Sequence, residues 1–171
     1  KIGSAKDIET SNLELILADL EILERRYTKI QKVAKLDKKV AVEADFLKAL
    51  MAHMEEGKTA RSFAAEKEAW AFLADTPLIS AKPVIYAANM SEADFVNNLN
   101  DNGFYQEVVA IAKEEKASVL PICAKIEEEI ADMPEADKKE FLAELHLAES
   151  GLNRMIKESY TLLGQISFLT A

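Results

Sequence analysis

The sequence predicts a predominantly helical α/β chain, in which an antiparallel coiled-coil hairpin is joined to an incomplete α/β domain built on a parallel sheet. Three observations carry that prediction. Only five glycines and four prolines punctuate 171 residues that are 49% hydrophobic, which favours helices over tight turns and many strands. Apolar residues recur in alternating steps of three and four from Leu13 to Ala34, the a/d seam of a coiled coil. Two short unbroken apolar runs, Pro83–Ala88 and Ala117–Cys123, have the pattern of strands buried on both faces.

The elements follow in order. Leu13, Ile16, Leu20, Leu23, Tyr27, Ile30 and Ala34 form the first seam, which stops at Lys35–Lys39; Val42, Phe46, Ala49, Leu50 and His53 form a second stripe ending at Gly57, a helix stop. A third helix is predicted over Ser62–Leu73, broken by Thr76-Pro77. The first strand ends in the polar loop Asn89–Asp94, a turn follows at Asn100–Gly103, and Tyr105–Glu115 is helical. The second strand then completes a βαβ unit over 82–124, with Pro121 favouring an edge. Helices are predicted at Ile126–Ala131, Pro134–Leu145 and Ser150–Leu163, the last burying Leu152, Met155, Ile156, Tyr160 and Leu163. Ile166–Ala171 resembles a strand cut off near its start. The predicted division is a hairpin region at 1–75, the βαβ unit with trailing helices at 76–164, and a lead-in to a further domain at 165–171.

Charge and cysteine usage remove several function classes. A net charge of −9 argues against a duplex-binding surface spread over the chain, yet residues 25–39 carry seven basic side chains against Asp37 alone, a local +6 that leaves −15 elsewhere. Arg25, Lys32 and Lys39 are seven residues apart, with Lys29 between them, so a basic stripe along the first helix could track RNA phosphate; a solvated coiled-coil flank is the alternative. Cys123 is the single cysteine, so no internal disulfide or zinc cluster of usual spacing is expected, and a reducing cytoplasm fits. No apolar run suggests a membrane span, and an exposed parallel edge offers pairing to a second copy. Glu55-Glu56 and Glu127–Glu129 read as solvated helix faces, and His53 and His146 as surface or helix-edge residues.

Ligands of open parallel sheets sit beyond the carboxyl ends of the strands, where Asn89–Glu92 and Cys123–Lys125 both fall. An Asn after a buried strand with an acid three residues later can read a purine base. It can equally be a capped helix start, with Ser91 or Asn89 as N-cap. Cys123 can line that pocket or be a buried structural thiol.

The flanking residues sharpen the choice. Ala81-Lys82-Pro83-Val84-Ile85-Tyr86-Ala87-Ala88-Asn89-Met90-Ser91-Glu92, then Leu120-Pro121-Ile122-Cys123-Ala124-Lys125-Ile126-Glu127, together with Asp7–Thr10, Glu14–Glu21 and Ser150–Ala171, resemble the Obg-like ATPases of the YchF group. The resemblance implies a Rossmann-like P-loop NTPase (G) domain interrupted by the hairpin and followed by a TGS domain. It also implies binding and hydrolysis of ATP, with GTP accepted more weakly, Mg2+ held by residues absent from this chain, and association with ribosomes. It places Asn89, Met90, Glu92, Cys123, Ala124 and Lys125 at the base, with Lys125 over ribose or base. Guanine offers N1–H and N2–H donors that an Asp accepts together, whereas adenine presents N6–H and N7. Glu92 therefore loses the guanine-selecting geometry, while the Asn89 amide can meet the adenine edge and Met90 supplies a soft apolar contact.

No Gly-x-x-x-x-Gly-Lys-Ser/Thr sequence occurs in the chain. The expectation is a fragment whose phosphate-binding half lies before residue 1, with no catalytic residue of its own and no ATPase activity alone. Its start without Met points to excision. Ser11 and Gln165, where the resembling family has apolar residues, and His146, where it has a helix-ending glycine, suggest newly exposed surface.

Overall fold

The computed structural model describes residues 5–162; Leu163, Gln165, the strand expected at Ile166–Ala171 and the lead-in at 165–171 lie outside the described residues. The chain divides into two compact units between Lys82 and Pro83.

In the first unit, α1 (Ala5–Ile30) leads through a 3-10 turn at Val33–Lys35 to α2 (Lys38–Glu55), against which it packs. Asp37 starts α2 by accepting the Lys39 amide at 2.8 Å, and Gly57 ends the segment with φ +82°, a left-handed position that a Cβ would strain. Ile16 and Leu23 of α1 join Phe46, Leu47, Leu50, Met51 and Met54 of α2 in the core. The buried register differs from the predicted one. On α1 the buried positions are Asn12, Ile16, Asp19 and Leu23, while Leu13 is half exposed; on α2 Val42 and Ala49 face solvent and Leu47, Met51 and Met54 take their place.

Polar residues at buried positions explain the shift. Asp19 is fully buried and accepts the Ile79 and Ser80 amides at 2.9 and 2.7 Å, satisfying the first donors of a 3-10 turn at Ile79–Ala81. Asn12 accepts from Arg61, whose guanidinium also donates to the carbonyls of Ser80 and Lys82. The third helix shrinks to a 3-10 turn at Ala60–Ser62, one α turn α3 (Lys67–Trp70) and a 3-10 turn at Ala71–Leu73. Phe63 is extended between them, which lets its ring reach Phe46, His53 and Trp70, with Phe46 edge-on to Trp70 at 5.6 Å.

In the second unit, β1 (Ile85–Asn89) and β2 (Ser118–Ile122) pair in parallel, with Ile85 opposite Ser118 and Asn89 opposite Ile122. Between them run α4 (Glu92–Val96) and α5 (Gly103–Glu115), which ends with Lys116 in the left-handed conformation. Tyr86 and Ala88 are buried and Ala87 and Asn89 exposed, so β1 is covered on one face only, contrary to the predicted two. Beyond β2 come α6 (Ala124–Ala131), α7 (Glu135–Glu144) and α8 (Gly151–Thr161). Ile126, Ile130 and Leu142 close with Cys123 into a small core. The predicted buried stripe of α8 is instead largely outward: Leu152, Ile156 and Tyr160 are exposed, and Ser159 is its buried residue among those described. No helix among the described residues is long and apolar enough to cross a membrane.

Candidate functional site

The carboxyl ends of β1 and β2 lie side by side, so their following loops meet. Met90 extends the ladder by one bond, its amide donating to the Ile122 carbonyl at 2.7 Å, which carries its side chain into the interior at 4% exposure. Asn89 faces the other way, as alternation along a strand requires, and its Oδ1 accepts the Ala124 amide at 3.0 Å. That bond ties together two loops 35 residues apart in sequence. It also orients the carboxamide: with the oxygen turned to Ala124, this bond uses one oxygen lone pair and does not engage the NH2.

Ser91 then caps α4. Its hydroxyl accepts the Asp94 amide at 3.3 Å, and the Asp94 carboxylate accepts the Ser91 amide at 2.9 Å and its hydroxyl at 2.6 Å, a reciprocal capping box. These bonds from Ser91, with a further one from Asn102, hold the Asp94 carboxyl below its ordinary pKa. The helix-start reading of Asn-Met-Ser-Glu is therefore correct as local structure. It coexists with the pocket because the box employs Ser91 and Asp94, while Asn89 and Glu92 turn to the other loop, to the Ala124 amide and to Lys125.

Asn89, Met90, Ser91, Glu92, Ala93, Cys123 and Lys125 line an open concavity of about 380 Å3. Five of the six residues expected at the base line it directly, and the sixth, Ala124, supplies the amide held by Asn89. Cys123 lines the concavity while being 5% exposed and part of the small core. Lys125 Nζ reaches Glu92 Oε1 at 2.9 Å and Glu129 at 3.7 Å, and the neighbouring Glu92 carboxylate raises the ammonium pKa. That Glu92 oxygen is withdrawn from solvent. Nothing in sequence spacing pointed to this ion pair, since its partners belong to different loops. Among the described residues no three His, Cys, Asp or Glu side chains gather as a metal-ligand set.

The basic residues of the first unit are placed differently from the predicted stripe. Arg25 and Lys29 lie on α1, Lys32 follows its end and Lys39 sits in the first turn of α2, so their spacing by seven does not run along one helix. All four are exposed, and Arg25 pairs with Glu21. Arg26 turns inward instead, donating to Glu43 at 2.8 Å and to Asp75 and Thr76 at 2.6 Å each. Around the connection Leu36 stands 92% exposed among Lys32, Lys35, Lys38 and Lys39.

No protein-family model matches the chain. Over its whole length it is 42% identical to the ribosome-binding ATPase YchF of Bacillus subtilis, 38% to that of Haemophilus ducreyi and 36% to that of Escherichia coli O157:H7. The chain spans about half the length of these relatives, 46–47%. The fold is similar to that of the YchF GTPase of Schizosaccharomyces pombe, with TM-score 0.78 and 21% identity over 95% of this chain and 47% of that one.

Proposed function

We propose that this chain, similar over its whole length to ribosome-binding YchF ATPases, belongs to the YchF group of Obg-like proteins, and that its second unit carries the base-recognition face of a nucleotide site that takes ATP in preference to GTP. The observation that supports this most is the Asn89–Ala124 bond, which joins both base-reading loops around one concavity. An adenine laid there finds the Asn89 NH2 opposite N7 and the spare Asn89 oxygen lone pair opposite N6–H. Met90 and Cys123 supply apolar lining. Bound ATP would provide the phosphoryl group for hydrolysis, with Mg2+ held by residues outside 1–171. Since these residues contain no phosphate-cradling Gly-x-x-x-x-Gly-Lys sequence, the chain by itself binds weakly and does not hydrolyse. Titrating the isotope-labelled chain with ATP and GTP tests this. ATP should shift the amides of Met90, Glu92 and Ala124 at lower concentration than GTP; the reverse order would refute the preference.

The proposal extends to the first unit. The α1–α2 pair is read as a coiled-coil arm, and its exposed Arg25, Lys29, Lys32 and Lys39 as contacts to ribosomal RNA in the cytoplasm. The exposed lysines around Leu36 favour a second reading, in which this arm is an RNA- or protein-binding module and the sheet only its scaffold. Charge reversal at Lys29, Lys32 and Lys39 should abolish co-sedimentation with ribosomes under the RNA reading and leave nucleotide-induced shifts intact. The strand edge is proposed to support self-association, checked by sedimentation.

A further inference from the structure

Lys125 and Glu92 face each other across the concavity from different loops, one opening α6 and the other α4. Lys125 is 69% exposed and has a second anion, Glu129, on its own helix at 3.7 Å, so it could have paired locally and been satisfied. Instead its shorter contact, 2.9 Å, is to Glu92, the residue that the proposed site sets at the purine edge. The consequence depends on which base arrives. Guanine brings N1–H and N2–H and needs a carboxylate free to accept both; adenine brings an acceptor at N1, which a free carboxylate would meet lone pair to lone pair. An ammonium that draws the Glu92 carboxylate aside and offsets its charge penalises guanine and relieves adenine at once, and selectivity is the difference between the two.

We propose that Lys125 is a selectivity-setting positioning residue of the base site, acting through Glu92: it withholds the carboxylate from guanine and so tilts the pocket to adenine. This rests on the nucleotide-site reading given above. It assigns adenine preference to a pair of residues rather than to the length of the Glu92 side chain alone. An exposed ion pair has a small effect, so the expected change in selectivity is roughly two- to fivefold.

The test compares ATP and GTP dissociation constants from amide shifts of Met90, Glu92 and Ala124 in the unaltered chain, Lys125→Met, Lys125→Arg, Glu92→Ala and the Glu92→Ala/Lys125→Met double variant. Lys125→Met should move the GTP-to-ATP ratio toward guanine by about two- to fivefold, and Lys125→Arg should restore it. In the Glu92→Ala background the Lys125 substitution should leave the ratio unchanged, because the route through Glu92 is gone. An unchanged ratio in Lys125→Met, or an equal shift in both backgrounds, overturns the inference while leaving the base site standing. If the unaltered chain shows no shift at these amides with either nucleotide, the site reading falls and takes this inference with it.

Discussion

Replacing Asp19 with alanine should destabilise the first unit severely, although aspartate in mid-helix resembles a surface residue. Its carboxylate is fully buried and accepts two backbone amides, Ile79 at 2.9 Å and Ser80 at 2.7 Å. The turn these amides open is also held by the Ala60 amide on the Ser80 hydroxyl and by Arg61 on the Ser80 carbonyl. A hydrogen bond to a charged acceptor contributes about 1.5–3 kcal/mol, and each buried donor left unpaired costs about 1–3 kcal/mol. These overlap, so the loss is roughly 3–5 kcal/mol, a large part of the ~5–15 kcal/mol that holds a domain folded. Trp70, the single tryptophan, sits in this unit beside Phe46 and reports its unfolding. With a urea slope of ~2 kcal/mol per molar, the fluorescence midpoint should fall by about 2 M. Asp19→Asn keeps one acceptor and should fall between. A loss below about 1 kcal/mol would refute the reasoning, because burial without partners cannot be that cheap.

Three further outcomes follow. His146 ends α7 at φ +58°, with its amide on the Ala143 carbonyl and that of Leu147 on Leu142, so His146→Gly should raise stability by roughly 0.5–1 kcal/mol in thermal melts by circular dichroism; a lowered melting temperature would contradict it. At Gly151 an added Cβ would lie 2.8 Å from Glu127 Oε1 and 2.9 Å from Ile122 Cγ2. Gly151→Ala should therefore cost about 1–3 kcal/mol and shift the Gly151 and Leu152 amides that Glu127 accepts; unchanged amides would sink the contact. Because the folded-state pKa of Asp94 is depressed, the capping box is at full strength above about pH 4 and is lost as pH falls through the lowered value. A pH titration of the Ser91 amide should have its midpoint below ~3.9, and Asp94→Asn should flatten it; a midpoint at or above that value would be a contradiction.

The strands of the second unit were more legible in the sequence than the helices of either unit, for a physical reason. β1 and β2 are unbroken apolar runs bounded by polar loops, and both appear within a residue or two of their predicted limits. On α1 the seam was read from apolar residues alone, so Asn12 and Asp19, buried because they satisfy Arg61 and a turn, could not be placed. Periodicity counts side chains as inside or outside by polarity, and a polar group that repays its burial with hydrogen bonds defeats it. The stripe on α8 failed in the opposite sense: Leu152, Ile156 and Tyr160 have the right spacing for burial and are exposed among the described residues. A helix pattern states what a face could bury and not what lies against it.

In the candidate site the residue types were visible and their couplings were not. Asn89, Glu92, Cys123 and Lys125 follow strand ends, where ligands of parallel sheets gather. That Asn89 would hold Ala124, and Lys125 would hold Glu92, depends on strand register, which brings Asn89 opposite Ile122. A one-residue slip would turn Asn89 to the other face and abolish both contacts.

The central claim is that these two loops make one base site. Intermolecular nuclear Overhauser effects between the adenine H2 and H8 protons of ATP and the labelled chain test it most directly. The account predicts contacts to Met90 on one loop and to Ala124 on the other in the same complex, weakened by Asn89→Ala. Adenine contacts confined to one loop, or to residues away from both, would contradict it.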